Sequence, residues 1–205
     1  MASVAIDLRK TPRQARARIT FDAIIEAATQ LLREGGLAAL NTNAIAERAG
    51  VSIGSLYQYF PNKDALMVEM IRREQQSHVA RLAAALPFVE ALDLDETVHL
   101  LVRTAMAHHR EDALYASAID HEESRLPVDS IVADSLDTAG RLVETLLARF
   151  ASEIGPIDGI RLAKTVPVMV RSIVDVWSNS SEPKLDVAEE EAVRAVLGYL
   201  KLGAN

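Results

Sequence analysis

The chain has 205 residues, 49% hydrophobic and 25% charged, with a formal charge of −7 and no cysteine. This composition excludes a disordered chain, and the lack of cysteine excludes disulfides, thiol catalysis and cysteine-ligated metals. The charge is uneven: ten Lys/Arg and seven Asp/Glu fall in residues 1–73, a balance of +3 against −10 for the remainder, so a basic end able to neutralise phosphates is joined to an acidic body.

Five of residues 9–18 are basic (Arg9, Lys10, Arg13, Arg16 and Arg18), and residues 1–15 are expected to form a basic flexible arm. Ile24, Ala27, Ala28, Leu31 and Leu32 recur at helical spacing, and Gly35-Gly36 ends that helix. Asn41-Thr42 is a good N-cap pair for a short helix to about Ala49. Gly50-Val51-Ser52 makes a tight turn, and Ser52 can cap a second short helix that stops before Pro61. Asn62 starts a longer helix to about Leu86. Further helices are expected over Asp93–Arg110, 112–124, 128–153, 157–179 (with Pro167 inside, where a kink is expected) and 186–202. The fold class is all-α, about nine helices, with no paired strands. The expected domains are a DNA-reading unit over 16–62 and a body over 63–205. No apolar run approaches the roughly 18–20 residues that span a bilayer, and the first residues lack a secretory pattern. A cytoplasmic protein with no membrane partner is expected.

The pair of short helices is a helix-turn-helix. The close crossing needs a small residue, and Ala46 supplies it. The turn needs a positive φ, and Gly50 supplies that. Ile45, Ala49, Val51 and Leu56 fall where the inner faces meet. The second helix turns Ile53, Ser55, Gln58 and Tyr59 outward, with Gly54 allowing close approach. Gln pairs with the adenine edge, and Ser is more permissive. Hydroxyls of Tyr57 and Tyr59, Thr42 and Asn43 at a helix start, and Lys63 at the next one suit phosphate oxygens. The turn by itself also occurs in many proteins that never touch DNA, and a helical adaptor whose N-terminal unit binds protein is a further alternative. The basic arm and the lysine after the second helix favour double-stranded DNA.

The run from Thr42 to Leu66, TNAIAERAGVSIGSLYQYFPNKDAL, closely resembles the DNA-binding signature of the tetracycline-repressor (TetR) family. The resemblance covers roughly residues 16–66. It implies a homodimeric regulator, usually a repressor, on a near-palindromic operator. It also implies a small-molecule pocket in the C-terminal body and a dimer interface on the last two helices. By matched position, Thr42, Asn43, Ser52, Ser55, Tyr57, Gln58, Tyr59 and Lys63 are DNA-contact candidates, with Arg16, Arg18 and Gly54 beside them. Ile53 is apolar where many relatives are polar or basic, which suits contact with a thymine methyl.

In the body, Val170, Ile173, Val174, Val193, Val196, Leu197 and Leu200 are the candidate dimer surface. Met106, His109, Tyr115, Met169 and Trp177 are candidate pocket residues, and their character suits a hydrophobic or amphipathic effector. No cofactor is expected. The alternative is a metal-binding helical-bundle enzyme or metal sensor, because His108, His109, Glu111, Asp112, Asp120, His121, Glu122 and Glu123 crowd one region and Glu96 with His99 forms a Glu-x-x-His. A di-iron bundle needs a second such pair, and the sequence has none.

Overall fold

A computed structural model of the chain describes residues 15–154, 158–178 and 183–201. The basic arm, apart from Ala15, lies outside the described residues. Among these residues the backbone forms ten α-helices: α1 (Ala15–Ala39), α2 (Thr42–Arg48), α3 (Ile53–Tyr59), α4 (Lys63–Ala85), α5 (Leu94–Ala105), α6 (Ala107–Glu111), α7 (Ala113–Arg125), α8 (Asp129–Leu147), α9 (Gly159–Ser178) and α10 (Leu185–Lys201). Two short 3-10 helices, Leu86–Ala91 and Ala148–Phe150, follow α4 and α8.

The expected all-α architecture is present. The helix expected over Asp93–Arg110 is divided into α5 and α6, which raises the count from nine to ten. Met106 stands at the break with φ −90° and ψ −1°, and its carbonyl accepts the His109 N–H at 3.1 Å in a tightened turn. Just before it, the Thr104 hydroxyl donates to the Leu100 carbonyl at 2.8 Å, a back-bond of the kind that bends helices. The start of α5 is a full capping box: Asp93 Oδ1 accepts the Glu96 N–H at 2.8 Å and Glu96 Oε2 accepts the Asp93 N–H at 3.1 Å.

The chain divides into two compact units, residues 1–74 with 112–128, and residues 75–111 with 129–205. In the first unit α1 packs on α2 and on α7. Its core includes Ile24, Leu32, Ile45, Leu56, Phe60, Leu66, Met67 and Met70, each at most 1% exposed. Helix α7, expected from the sequence to belong to the body, is tied into this unit by charge. Arg33 pairs with Asp112 at 2.8 Å, and Arg125 reaches Asp64 and Glu122 at 2.5 Å each. Glu122 is itself buried, so Arg125 is what makes a carboxylate tolerable there.

In the second unit α9 packs between α8 and α10, and α5 lies against α10. Their facing sides merge into one apolar cluster that includes Val98, Met106, Leu147, Val166, Ala192 and Leu200. Glu189 on α10 collects Arg103 Nε at 2.7 Å and Arg110 Nη2 at 2.9 Å. Burial would raise its carboxyl pKa, but these guanidinium hydrogen bonds outweigh that and hold it below the ordinary value. Helix α9 runs on through Pro167, which has no N–H to give to the Ala163 carbonyl. Gly140 of α8 sits directly against that carbonyl, and a Cβ at position 140 would collide with its oxygen. The obstruction is backbone and cannot swing aside. Gly140→Ala is expected to cost about 1–3 kcal/mol by overpacking, read as a lower urea midpoint with an unchanged m value.

Candidate nucleic-acid interface

Local hydrogen bonds set where each short helix begins. Asn41 is the N-cap of α2, and its side chain accepts the Ala44 N–H at 2.9 Å. Ser52 caps α3 by accepting the Ser55 N–H at 3.0 Å, and Asn62 does the same before α4 with the Ala65 N–H at 2.8 Å. Between α2 and α3 Gly50 has φ +65°, the left-handed region that disfavours any side chain. Ala46 is buried at the crossing, and Ile45 and Leu56 are fully buried beneath it.

This frame presents one side of α3 to solvent. Ile53 is 40% and Tyr57 38% exposed; Ser52, Gly54 and Gln58 are also exposed, and Ser55 is half-buried. The Ser52 and Ser55 hydroxyl oxygens are 2.8 Å apart. A Cβ at Gly54 would make only ordinary contact with Ser52 Oγ at 3.8 Å, so the fold itself does not demand glycine there. On the flanks Asn43 is exposed on α2, Thr42 and Lys63 are half-buried at the starts of α2 and α4, and Arg16 and Arg18 are exposed on the first turn of α1.

Tyr59 departs from the expectation. It is 8% exposed, and its ring meets Phe21 edge-on at 5.8 Å, while Phe60 stacks on the same ring at 4.9 Å. Leu56, Tyr59 and Phe60 stand at i, i+3 and i+4, the spacing of one helical face. That signal was legible in the sequence and marks Tyr59 as an anchor of α3, not a groove contact. The Arg73 guanidinium covers the other partner, lying 5.4 Å from the Phe21 ring centre and 2.6 Å from Asp22.

The candidate ligand residues fall in both units. Met106 and His109 are buried in the second unit, where Met169 and Trp177 pack partly buried against its core. Tyr115 belongs instead to the first unit, on α7, with the Arg33 guanidinium 5.7 Å from its ring. Beside His109, with ring centres 3.9 Å apart, lies His108. Burial and the neighbouring His78, Arg81 and Arg171 depress the His108 pKa from 6.5 to about 4, so this imidazole is neutral at neutral pH.

Most of the proposed dimer residues are used inside one chain. Val170, Val174, Val193, Val196 and Leu200 are at most 6% exposed within one chain, and Ile173 and Leu197 pack against the same cluster. Side chains spent on their own core have little area to offer a second copy. The exposed apolar residues of α9 are Ile160, Val168 and Val176, at 63%, 47% and 69%. Four members of the acidic and histidine-rich region have structural partners. Glu96 closes the capping box, Asp112 caps α7 by accepting the Tyr115 N–H at 3.1 Å, Glu122 is held by Arg125, and His99 Nδ1 is 3.8 Å from Glu189.

Comparison with known proteins agrees with this geometry. Residues 24–70 match the family described as bacterial regulatory proteins, tetR family. Residues 93–200 match the tetracyclin repressor-like C-terminal domain. The chain is 29% identical to the HTH-type transcriptional repressor KstR of Rhodococcus jostii over 178 residues, covering 85% of this chain and 81% of that protein. A TetR-family transcriptional regulator from Mesorhizobium loti superposes with a TM-score of 0.71 at 18% identity, covering 92% and 98% of the two chains. The flavonoid-responsive regulator FrrA is 30% identical, with a TM-score of 0.54 and coverage of 90% and 96%.

The opposite burial of two neighbours on α3 is directly testable. Tyr59→Ala is expected to lower unfolding free energy by about 3 kcal/mol, as aromatic-to-alanine core truncations do. Gln58→Ala should stay within about 0.5 kcal/mol of the parent, as surface changes do. Equal losses in urea denaturation would contradict this assignment.

Proposed function

Because the chain belongs to the tetracycline-repressor (TetR) family of transcriptional regulators, which are not enzymes, we propose that this DNA-binding regulator acts as a homodimeric repressor of a near-palindromic operator and is released by a small hydrophobic effector. The observation that carries the DNA-reading assignment is the split of α3: Leu56 and Tyr59, with Phe60 just beyond, are buried behind it while Ser52, Ser55 and Gln58 face outward. Side chains held from behind reach base edges without the entropy cost of ordering a loop. Gln58 is the adenine reader by its amide chemistry. Ser52 at the outer edge of α3, with Lys63, Thr42, Asn43, Tyr57, Arg16 and Arg18, makes the phosphate contacts that set register, and Ile53 meets a thymine methyl. One α3 per subunit enters each of two major grooves, with half-site centres about 34–36 Å apart or a related spacing.

The dimer is supported by Ile160, Val168 and Val176, apolar side chains that one chain leaves exposed on the outer half of α9 and that a second copy would cover. The effector reading is supported by the apolar character of the second unit around Met106, Met169 and Trp177, and by the flavonoid response named for FrrA. An effector acts only through its differential affinity for the DNA-competent and DNA-incompetent states. No described helix is long and apolar enough to cross a membrane.

Selection of bound fragments from a random duplex pool tests the operator reading, with an inverted repeat as the expected outcome. Lys63→Ala should weaken binding to all sequences and flatten the salt dependence by about one phosphate contact. Gln58→Ala should cost about 1–3 kcal/mol on the selected site and relax choice at one base pair per half-site; unchanged choice would remove it from base reading. The double variant Val168→Asp, Val176→Asp should sediment as a monomer where the parent sediments as a dimer, and a persisting dimer would refute the α9 surface.

A further inference from the structure

We propose that Ser55 reads its base only as a hydrogen-bond acceptor, and that Ser52 imposes this polarity on it. The proposal rests on the DNA-reading role assigned above and adds a specificity determinant to it.

The two hydroxyl oxygens are 2.8 Å apart, within hydrogen-bond range. Ser52 Oγ also accepts the Ser55 N–H at 3.0 Å. A serine hydroxyl has one proton and two lone pairs, so one lone pair of Ser52 is already committed. The bond between the hydroxyls can then run in either of two directions. When Ser52 donates, its proton is used and Ser55 keeps its own, free to donate outward. When Ser55 donates, both lone pairs of Ser52 are filled, the Ser52 proton is free, and Ser55 has only lone pairs left to offer. Free in water, nothing on the protein chooses between the two directions.

DNA chooses. Ser52 is exposed at the outer edge of α3 and Ser55 lies one turn further in. A phosphodiester oxygen is an acceptor without a proton to give, so a phosphate at Ser52 must receive the Ser52 proton. That contact selects the second direction and leaves Ser55 as an acceptor. In the major groove only the exocyclic amino groups, N6 of adenine and N4 of cytosine, donate; guanine and thymine present acceptors there. Ser55, permissive as an isolated side chain, thereby becomes selective for adenine or cytosine on the strand it faces. The phosphate contact, which by itself carries no sequence information, acquires some by passing a proton direction along two side chains.

The test is selection from a random duplex pool with the parent, Ser55→Ala, Ser55→Thr, Ser52→Ala and Ser52→Gly, all in the full chain. The parent should enrich adenine or cytosine at one half-site position by about five- to tenfold, and Ser55→Ala should lose that preference while keeping the rest of the motif. Ser55→Thr, which keeps the hydroxyl, should restore it. Ser52→Gly keeps nearly all the capping strength of serine but lacks the hydroxyl. It should bind more weakly overall and accept guanine and thymine at that position as well. A Ser52 that served only as a cap would lower affinity in Ser52→Ala without changing base choice in Ser52→Gly. The proposal is overturned if Ser52→Gly keeps the parent preference, or if the position lost in Ser55→Ala is one where the parent favours guanine or thymine. A parent that enriches no duplex at all removes the regulator reading, and this proposal goes with it.

Discussion

A seven-residue helix cannot hold itself together in water. Helix nucleation is costly and two turns are too few to recover it, yet α3 has that length and everything functional in the first unit depends on its direction. Its stability is therefore borrowed from outside. Ser52 satisfies an N–H at its start, Gly50 sets the angle at which the chain enters, and Leu56, Tyr59 and Phe60 sink into a core built on Phe21 and Ile24 of α1. Because all three anchors are on one side, the other side is forced outward. Exposure of Gln58 is a consequence of the burial of its neighbours rather than of its own polarity.

The first unit is wider than a three-helix head. Residues 112–128 fold into it, held by ion pairs from Arg33 and Arg125 and by packing of α7 on α1. Arg125 is the costly element of that arrangement if lost, because Glu122 would remain buried without its cation. The second unit is likewise packed on apolar side chains. Its helices meet across a continuous apolar cluster, with charge kept to the rim where Glu189 gathers Arg103 and Arg110. At Gly140 the packing is close enough that backbone meets backbone, against a carbonyl that proline deprives of its in-helix donor.

How far each site could be read from residues alone depended on whether its cause was local. The turn at Gly50, the cap at Ser52 and the stop before Pro61 are properties of a few consecutive residues, and all stand where the spacing places them. Tyr59 was legible in principle through its i, i+3, i+4 register with Leu56 and Phe60, but its hydroxyl drew attention to phosphate instead. The inward turn of most of the proposed dimer residues was hidden for a different reason. Helices α9 and α10 carry apolar side chains on more than one side, and hydrophobicity does not state which side meets the chain's own core. Val170 and Val196 went inward while Val168 and Val176 stayed out.

The sequence by itself determined the all-α class, the helix-turn-helix and its turn chemistry, the basic arm beside an acidic body, and membership of the family through Thr42–Leu66. Each follows from short-range rules: periodicity, caps, a positive φ and residue identity at fixed spacing. Only the tertiary structure decided that α7 joins the first unit, that Tyr59 anchors rather than reads, that Asp93–Arg110 is two helices, and that Ser52 and Ser55 share a hydrogen bond. Those outcomes depend on which surfaces compete for burial and on angstrom-scale placement between side chains, quantities that residue order constrains only through the whole fold.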